Sequence, residues 1–211
     1  MKRLFALFLL FFAAGLAQAE PRLWQEYAPL QTPQPAETGK KIEVREFFYY
    51  GCPHCFDVEP AVHQWLKGKP KDVEFVRTPG IFQDAWLPMT KTYFALEALG
   101  QLDRLHGKLF AAIHQQNQRR LLSDENAIFD WMTANGVERQ KFIDAYHAFS
   151  TQGRAQRAKE MTSLYGINGV PAFVVDGKYA TTVAMAGGYR ELFATIDYLV
   201  DKARRERGGK K

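Results

Sequence analysis

The sequence predicts an α/β fold in which a long helical segment interrupts a small sheet. Stretches rich in β-branched and aromatic residues, typical of strands, are concentrated near residues 42–77 and 172–182. The segment between them carries apolar residues at helical spacing. A pair of cysteines three residues apart follows the first of these strand-like stretches.

The N-terminal segment has the pattern of an export signal. Two basic residues follow the initiator and precede an apolar run over residues 4–16, and small residues lead to a predicted cleavage between Ala19 and Glu20. This run is shorter than the roughly 20 residues that a membrane-spanning helix needs. We therefore predict a cleaved signal peptide over residues 1–19 and an exported mature protein.

The charge balance does not demand a nucleic-acid partner. The formal net charge is +5 at pH 7, and Lys2 and Arg3 in the predicted signal contribute two of these charges. The hydrophobic content of 46% is sufficient for a substantial core. We expect one domain that carries a large insert and binds no nucleic acid.

Strand signals dominate the beginning of the mature chain. Residues 20–40 contain four prolines and are expected to form an extended arm. Residues 42–50 have the composition of a buried central strand, and residues 73–77 that of a second strand. A helix beginning at Pro53 connects the two strands, and Pro60 inside it predicts a kink.

The long middle segment, residues 84–165, is predicted to form four or five helices without any strand. Ser123 is the expected N-cap of one helix, and Asn135-Gly136 the expected end of that helix. The segment is therefore predicted to be an all-helical insert within a domain made of residues 20–83 and 166–211.

Strand signals return after the helical segment. Residues 172–175 form a predicted strand, Asp176-Gly177 a hairpin turn, and residues 178–182 the partner strand. An amphipathic helix from residue 189 to about 207 closes the chain. This order of elements predicts a thioredoxin-like fold with an inserted all-helical subdomain.

Cys52 and Cys55 are the only cysteines, and their position favours redox chemistry over a structural role. A bridge between them closes so short a loop that it constrains the unfolded chain little. Cys52 precedes the helix that Pro53 opens, where free N–H groups and the helix dipole favour a thiolate. His54, when protonated, adds a second positive charge. We predict Cys52 as the nucleophile and Cys55 as the resolving cysteine of a redox-active disulfide.

A structural disulfide and a metal site are the alternatives to a redox pair. The disulfide gains little from its short loop, and a metal site lacks a second cysteine pair. Covalent haem would need a histidine where Phe56 stands. We therefore predict neither a metal nor an organic cofactor. The histidines outside the motif are scattered over the helical segments: His63, His106, His114 and His147.

Three features of the chain together resemble a known family. They are the Glu-Phe-Phe-Tyr-Tyr-Gly-Cys-Pro-His-Cys segment of residues 46–55, the Gly-Val-Pro-Ala-Phe segment of residues 169–173, and the helical stretch between them. Across essentially the whole mature chain, the sequence resembles the DsbA family of bacterial periplasmic thiol–disulfide oxidases. The resemblance implies that Pro171 follows a cis peptide bond beside the cysteines. It also implies that Val170, Pro171 and His54 bind an extended substrate.

Glu46 resembles an acidic residue beneath the active site of that family. If Glu46 is buried near Cys55, it raises the pKa of that thiol and assists proton transfer. The alternative is a carboxylate at the strand edge that faces solvent. Glu59 is a weaker candidate for the same charge network.

The expected function is the donation of a disulfide to reduced, unfolded proteins that have just been exported to the periplasm. As the resemblance implies, a quinone-linked membrane partner of the DsbB kind then reoxidises the protein. An exported disulfide isomerase or reductase is one alternative, and a non-enzymatic periplasmic chaperone or metallochaperone is another. The short segment before the first strand leaves no room for the dimerisation domain of DsbC-like isomerases, so we expect a monomer.

Overall fold

The computed structural model describes residues 20–209 of the chain. The predicted signal peptide over residues 1–19 lies outside the described residues, as does the Ala19 side of its predicted cleavage site. Five strands are present in the described part: β1 (Ala28–Pro29), β2 (Ile42–Phe48), β3 (Val73–Pro79), β4 (Ala172–Val175) and β5 (Tyr179–Thr181). They form one mixed sheet in the order β1-β5-β4-β2-β3, with β2 parallel to β3 and antiparallel to β4.

Helices account for most of the remaining described residues. The α-helices are α1 (Pro53–Gly68), α2 (Leu87–Ala98), α3 (Leu102–His114), α4 (Glu125–Ala134), α5 (Arg139–His147), α6 (Phe149–Leu164), α7 (Val183–Ala186) and α8 (Tyr189–Gly208). Short 3₁₀ turns cover Asp84–Trp86 and Arg119–Leu122. Among residues 20–209, none of the helices combines the length and the apolar character that crossing a membrane requires.

The strand β2 is buried along its whole length because helices cover both faces of the sheet. On one face, Val44 packs in a cluster with Val62 of α1 and Leu192 of α8. On the other face, Phe47 packs with Met161 of α6. Residues with the composition of a central strand therefore occupy a central strand, as predicted.

Five α-helices lie between β3 and β4, in agreement with the predicted helical insertion into an α/β fold. The buried side chains of this insertion join the end of β2 in one hydrophobic cluster. Phe48 and Cys55 from the sheet side lie in that cluster together with Leu109 and Phe110 of α3. The helical segment thus packs directly against the part of the sheet that leads to the cysteine pair.

The prediction of Ser123 as a helix cap is wrong. Asp124 is the N-cap of α4, and its Oδ1 accepts a hydrogen bond from the backbone N–H of Ala127 at 3.1 Å. Ser123 instead ends the preceding 3₁₀ turn. The Asp124 carboxylate is the group that reaches the free N–H groups of the first turn of α4. The helix ends at Ala134, immediately before the Asn135-Gly136 stop, as predicted.

The sheet contains one strand that the sequence pattern did not predict. Ala28 and Pro29, in the expected extended arm, pair with β5 at the edge of the sheet. An edge strand tolerates proline because its missing N–H leaves no neighbour unpaired. The central strand ends at Phe48 instead of residue 50, and the four-residue helix α7 was also not predicted.

The hairpin between β4 and β5 forms at Asp176-Gly177, as predicted. Both residues have positive φ angles, 55° for Asp176 and 64° for Gly177. A Cβ atom on Gly177 would lie 1.9 Å from the carbonyl oxygen of Gln34. The backbone of the arm therefore occupies the space that a side chain at position 177 would need.

Candidate active site

The two cysteines occupy unequal positions at the start of α1. Cys52 is the N-cap of this helix and Pro53 its first residue, so the chain leaves the sheet through Tyr49, Tyr50 and Gly51 and enters the helix at the motif. Cys52 is partly accessible, whereas Cys55 is fully buried one turn further along the helix. Both are free thiols in the structure.

The environment of the two sulfur atoms moves their pKa values in opposite directions. A hydrogen bond from the Cys55 thiol, assisted by the backbone N–H groups of Cys55 and His54 and by the charge of His54, lowers the pKa of Cys52 to about 6. Burial raises the pKa of Cys55 far above its ordinary value, and the neighbouring Cys52 and Glu46 raise it further. The site therefore favours a thiolate at Cys52 and a neutral thiol at Cys55.

Val170 and Pro171 lie directly beside Cys52. The peptide bond between Val170 and Pro171 is cis, and the Cys52 thiol donates a hydrogen bond to the Val170 carbonyl oxygen at 3.4 Å. Gly80, the residue after β3, lies against the Val170 side chain. A Cβ atom on Gly80 would lie 2.9 Å from Cγ1 of Val170, so a side chain at position 80 would have to displace the Val170 methyl group.

His54 is exposed, with 78% of its side chain accessible. Its Nδ1 lies 4.0 Å from a carboxylate oxygen of Asp57. The ring is therefore available to solvent or to a bound molecule beside Cys52.

Glu46 is fully buried, which excludes the solvent-facing alternative. Its Oε2 accepts a hydrogen bond from Nε of Arg77 at 3.0 Å, and its Oε1 has no hydrogen-bond partner among the described residues. Burial raises the pKa of Glu46 to about 7; the charge of Glu59 adds to this and that of Arg77 opposes it. A carboxyl group with this pKa can exchange a proton near neutral pH.

Glu59 belongs to the same buried charge network. Both of its carboxylate oxygens accept hydrogen bonds from Nη2 of Arg77, at 3.1 and 3.2 Å. His106 and His63 approach the carboxylate at 3.5 and 3.3 Å. Burial opposes ionisation of Glu59, but the nearby His106 imidazole and the charge of Arg77 lower its pKa overall.

Arg77 and His106 are members of this network that sequence reasoning missed. Arg77 stands directly opposite Glu46 in the parallel pairing of β2 and β3, a register that the two predicted strands leave open. His106 lies on α3 and contacts the network only because that helix packs against the end of β2. Gly80 was missed for a similar reason, since its role depends on the distant Val170 loop.

Apolar and aromatic side chains pack at the turn that precedes Cys52. The rings of Tyr49 and Trp86 stack in parallel with their centroids 3.9 Å apart, and Phe82 packs edge-on against Trp86. Phe82 is 43% exposed and Leu122 lies next to Gly51. Among residues 20–209, no cluster of histidine, cysteine and carboxylate side chains is suited to hold a metal ion.

Comparisons with known proteins find sequence similarity over most of the chain. Residues 43–195 match the model of the DSBA-like thioredoxin domain family. The chain is 38% identical to the thiol:disulfide interchange protein DsbA of Burkholderia cepacia over 206 residues, which cover 95% of this chain and 96% of that protein. It is 37% identical to the protein of the same name from Pseudomonas aeruginosa over 180 residues, 85% of this chain and 84% of that one.

Solved structures give the same result. The crystal structure of Pseudomonas aeruginosa DsbA superimposes with a TM-score of 0.83 at 36% identity, covering 89% of this chain and 96% of that chain. The structure of the oxidoreductase DsbA from Xylella fastidiosa superimposes with a TM-score of 0.82 at 27% identity, covering 89% of this chain and all of that one. The predicted thioredoxin-like fold with a helical insertion is thereby confirmed.

Proposed function

Because this chain belongs to the DSBA-like thioredoxin domain family and is a disulfide oxidoreductase, we propose that it donates a disulfide between Cys52 and Cys55 to reduced proteins. The substrates are unfolded proteins that have just been exported. Cys52 is the nucleophile and Cys55 the resolving cysteine. The protein acts as a monomer and needs neither a metal nor an organic cofactor.

The inequality of the two thiols is the observation that carries this proposal. A stabilised thiolate at Cys52 favours the reduced form of the protein, because that thiolate exists only after the disulfide has been opened. The disulfide form is then a strong acceptor of electrons from substrate thiols. Cys52, with its pKa of about 6, is also a good leaving group when substrate is released.

The exchange proceeds in two balanced steps. A substrate thiolate attacks Sγ of Cys52, the bond to Cys55 breaks, and Cys55 leaves as a thiolate while a mixed disulfide forms. A second substrate thiolate then attacks the substrate sulfur of that mixed disulfide, and Cys52 leaves as a thiolate. The substrate loses two electrons and gains a disulfide, and the protein is left as the dithiol.

The buried Cys55 thiolate must take up a proton after the first step, because its pKa is strongly raised. Glu46 is the proposed proton donor, since it is buried nearby and its pKa is about 7. It then regains a proton from solvent. Arg77 holds Glu46 in place and limits how far its pKa rises, and Glu59 in turn holds Arg77.

The substrate chain is proposed to bind in an extended form beside Cys52. Val170 and Pro171 offer backbone groups for pairing, and the Val170 carbonyl already accepts a hydrogen bond from the Cys52 thiol. His54 flanks the substrate on the exposed side of the motif. Hydrogen bonds to the substrate backbone do not depend on its side chains, so such a site tolerates many substrate sequences.

The site of action is proposed to be the periplasm, reached through the signal peptide predicted over residues 1–19. A quinone-linked membrane protein of the DsbB kind restores the disulfide between Cys52 and Cys55. Membranes that contain such a quinone reductase should reoxidise the reduced protein, and membranes that lack it should not. Equal reoxidation by both preparations would contradict this part of the proposal.

The direction of the reaction is tested by mixing the oxidised protein with a reduced, unfolded substrate protein and following the loss of free thiols. We expect stoichiometric oxidation by the wild-type protein and none by Cys52→Ser. Glutathione equilibration should give a more oxidising potential than that of a cytosolic thioredoxin. A potential as reducing as that of thioredoxin would assign the protein to the reductases.

A further inference from the structure

Three side chains on one face of α3 hold a single residue of the active-site turn. His106, Phe110 and His114 are spaced four residues apart, so they form a stripe along the helix. We call them the α3 stripe. All three contact Tyr50, which stands two residues before Cys52.

Each member of the α3 stripe contacts a different part of Tyr50. Nδ1 of His106 lies 2.7 Å from the Tyr50 hydroxyl oxygen. The ring of Phe110 packs against the Tyr50 ring with centroids 4.9 Å apart. Nε2 of His114 lies 2.7 Å from the Tyr50 carbonyl oxygen. A carbonyl oxygen only accepts hydrogen bonds, so Nε2 of His114 carries the proton of this bond.

His114 also contacts the chain on the far side of the motif. Its ring stacks on Phe56, the residue after Cys55, with centroids 5.3 Å apart and planes within 12°. The same imidazole therefore touches the residues that flank the cysteine pair on both sides. Tyr50 lies beyond the end of β2, so its carbonyl no longer belongs to the pairing of the sheet.

The position of the Cys52 turn matters for the chemistry because the groups that stabilise the thiolate act over short distances. These groups are the Cys55 thiol and the backbone N–H groups of Cys55 and His54, all of which belong to α1. Cys52 itself is carried by the turn that begins at Tyr49. A small displacement of this turn changes the distance from the sulfur to those donors.

We propose that His114 is a positioning residue for the Cys52 thiolate, and that it acts through its hydrogen bond to the Tyr50 carbonyl. The helical insertion thereby sets the redox poise of a site that otherwise belongs to the sheet and α1. This inference rests on the proposed function of Cys52, which it deepens. His106 and Phe110 hold the Tyr50 side chain so that its carbonyl faces His114.

The test compares two substitutions that separate the hydrogen bond from the stacking. His114→Phe keeps an aromatic ring against Phe56 and removes the donor, whereas His114→Gln keeps an N–H donor and removes the ring. The pKa of Cys52 is measured from the ultraviolet absorbance of its thiolate. His147→Phe, at an exposed histidine at the end of α5, is the matched control.

We expect His114→Phe to raise the pKa of Cys52 by roughly one unit, the equivalent of one hydrogen bond. At pH 7 this shift lowers the equilibrium constant for reduction of the disulfide by glutathione about fivefold. His114→Gln and His147→Phe should keep the wild-type values. If His114→Phe does not fold, His114→Met removes the donor in a different shape and should give the same shift.

The inference is overturned if His114→Phe or His114→Met leaves both the pKa and the equilibrium constant at their wild-type values. It is also overturned if His114→Gln shifts them as far as His114→Phe, because the ring and not the donor would then matter. The wild-type protein is assayed in the same series. A wild-type protein without oxidase activity would refute the proposed function itself, whichever value the variants give.

Discussion

At the scale of single residues, two groups near the motif titrate in opposite senses. The pKa of Cys52, about 6, is lower than the ordinary value of 9.0, so the folded reduced protein releases that proton before the unfolded chain does. The pKa of Glu46, about 7, is higher than the ordinary value of 4.5, so the folded protein retains that proton longer. Each shift makes the stability of the protein depend on pH.

The Cys52 thiolate should stabilise the reduced protein at alkaline pH. Its contribution is complete above about pH 9 and is lost as the pH falls through about 6. The free energy of unfolding of the reduced protein, relative to the oxidised one, should therefore rise from pH 6 to pH 9. Denaturant titrations at several pH values measure this difference. A difference that does not change with pH would contradict the prediction.

Glu46 should produce the opposite slope. Its stabilising contribution is present below about pH 4.5 and is lost as the pH rises through about 7. The test uses Cys52→Ser as the parent, because no Cys52 thiolate contributes to its stability. Adding Glu46→Gln to this parent should reduce the loss of unfolding free energy between pH 5 and pH 8. Denaturation of both proteins at the two pH values is the measurement. Glu74→Gln, at an exposed carboxylate of β3, should behave like the parent.

At the scale of elements, the hairpin between β4 and β5 depends on the absence of a side chain at Gly177. Its backbone φ of 64° favours glycine, and the carbonyl oxygen of Gln34 occupies the position that a Cβ atom would take. Gly136, after α4, has a similar φ of 79° but has open space around it. Comparison of the two glycines therefore distinguishes the cost of a positive φ, which both positions share, from the cost of a steric clash, which only position 177 has.

Gly177→Ala should therefore destabilise the protein more than Gly136→Ala. A positive φ costs alanine about 1 kcal/mol at either position, and the clash at position 177 adds about 2 kcal/mol. We expect losses of about 3 and about 1 kcal/mol in the free energy of unfolding, measured with chemical denaturant. Equal losses would mean that the arm moves away from β4 at no cost.

At the scale of the whole molecule, the sheet and the helical insertion share one buried core. Phe48 of β2, Cys55 of α1 and Phe110 of α3 belong to the same hydrophobic cluster. The two parts of the fold should therefore unfold in one cooperative transition and not as separate domains.

Truncation of a shared core residue tests this coupling. Phe110→Ala should lower the free energy of unfolding by about 3–5 kcal/mol, as is usual for a fully buried phenylalanine, and leave a single transition. Phe149→Ala, at the 93% exposed first residue of α6, should change it by less than about 0.5 kcal/mol. Circular dichroism and tryptophan fluorescence followed together against denaturant should coincide. Separate transitions would show that the insertion is an independent unit.

The sequence predicts most elements of the fold but only part of the site. Local patterns predict β2, α1, the helical stretch and the hairpin, because each is determined by neighbours along the chain. The edge strand β1 was not predicted, since its pairing with β5 depends on distant residues. In the site, the motif predicts Cys52 and Cys55. It does not predict the contacts of Arg77 and His114, because these depend on strand register and on how α3 packs.

The approach of Gly80 to Val170 has a consequence for how this sequence can diverge among its homologues. The space between the two loops holds the Val170 methyl group and a hydrogen atom, but not two carbon atoms. A lineage that replaces Gly80 with alanine would need a smaller residue at position 170. Positions 80 and 170 should therefore covary across an alignment of relatives, although 90 residues of sequence separate them.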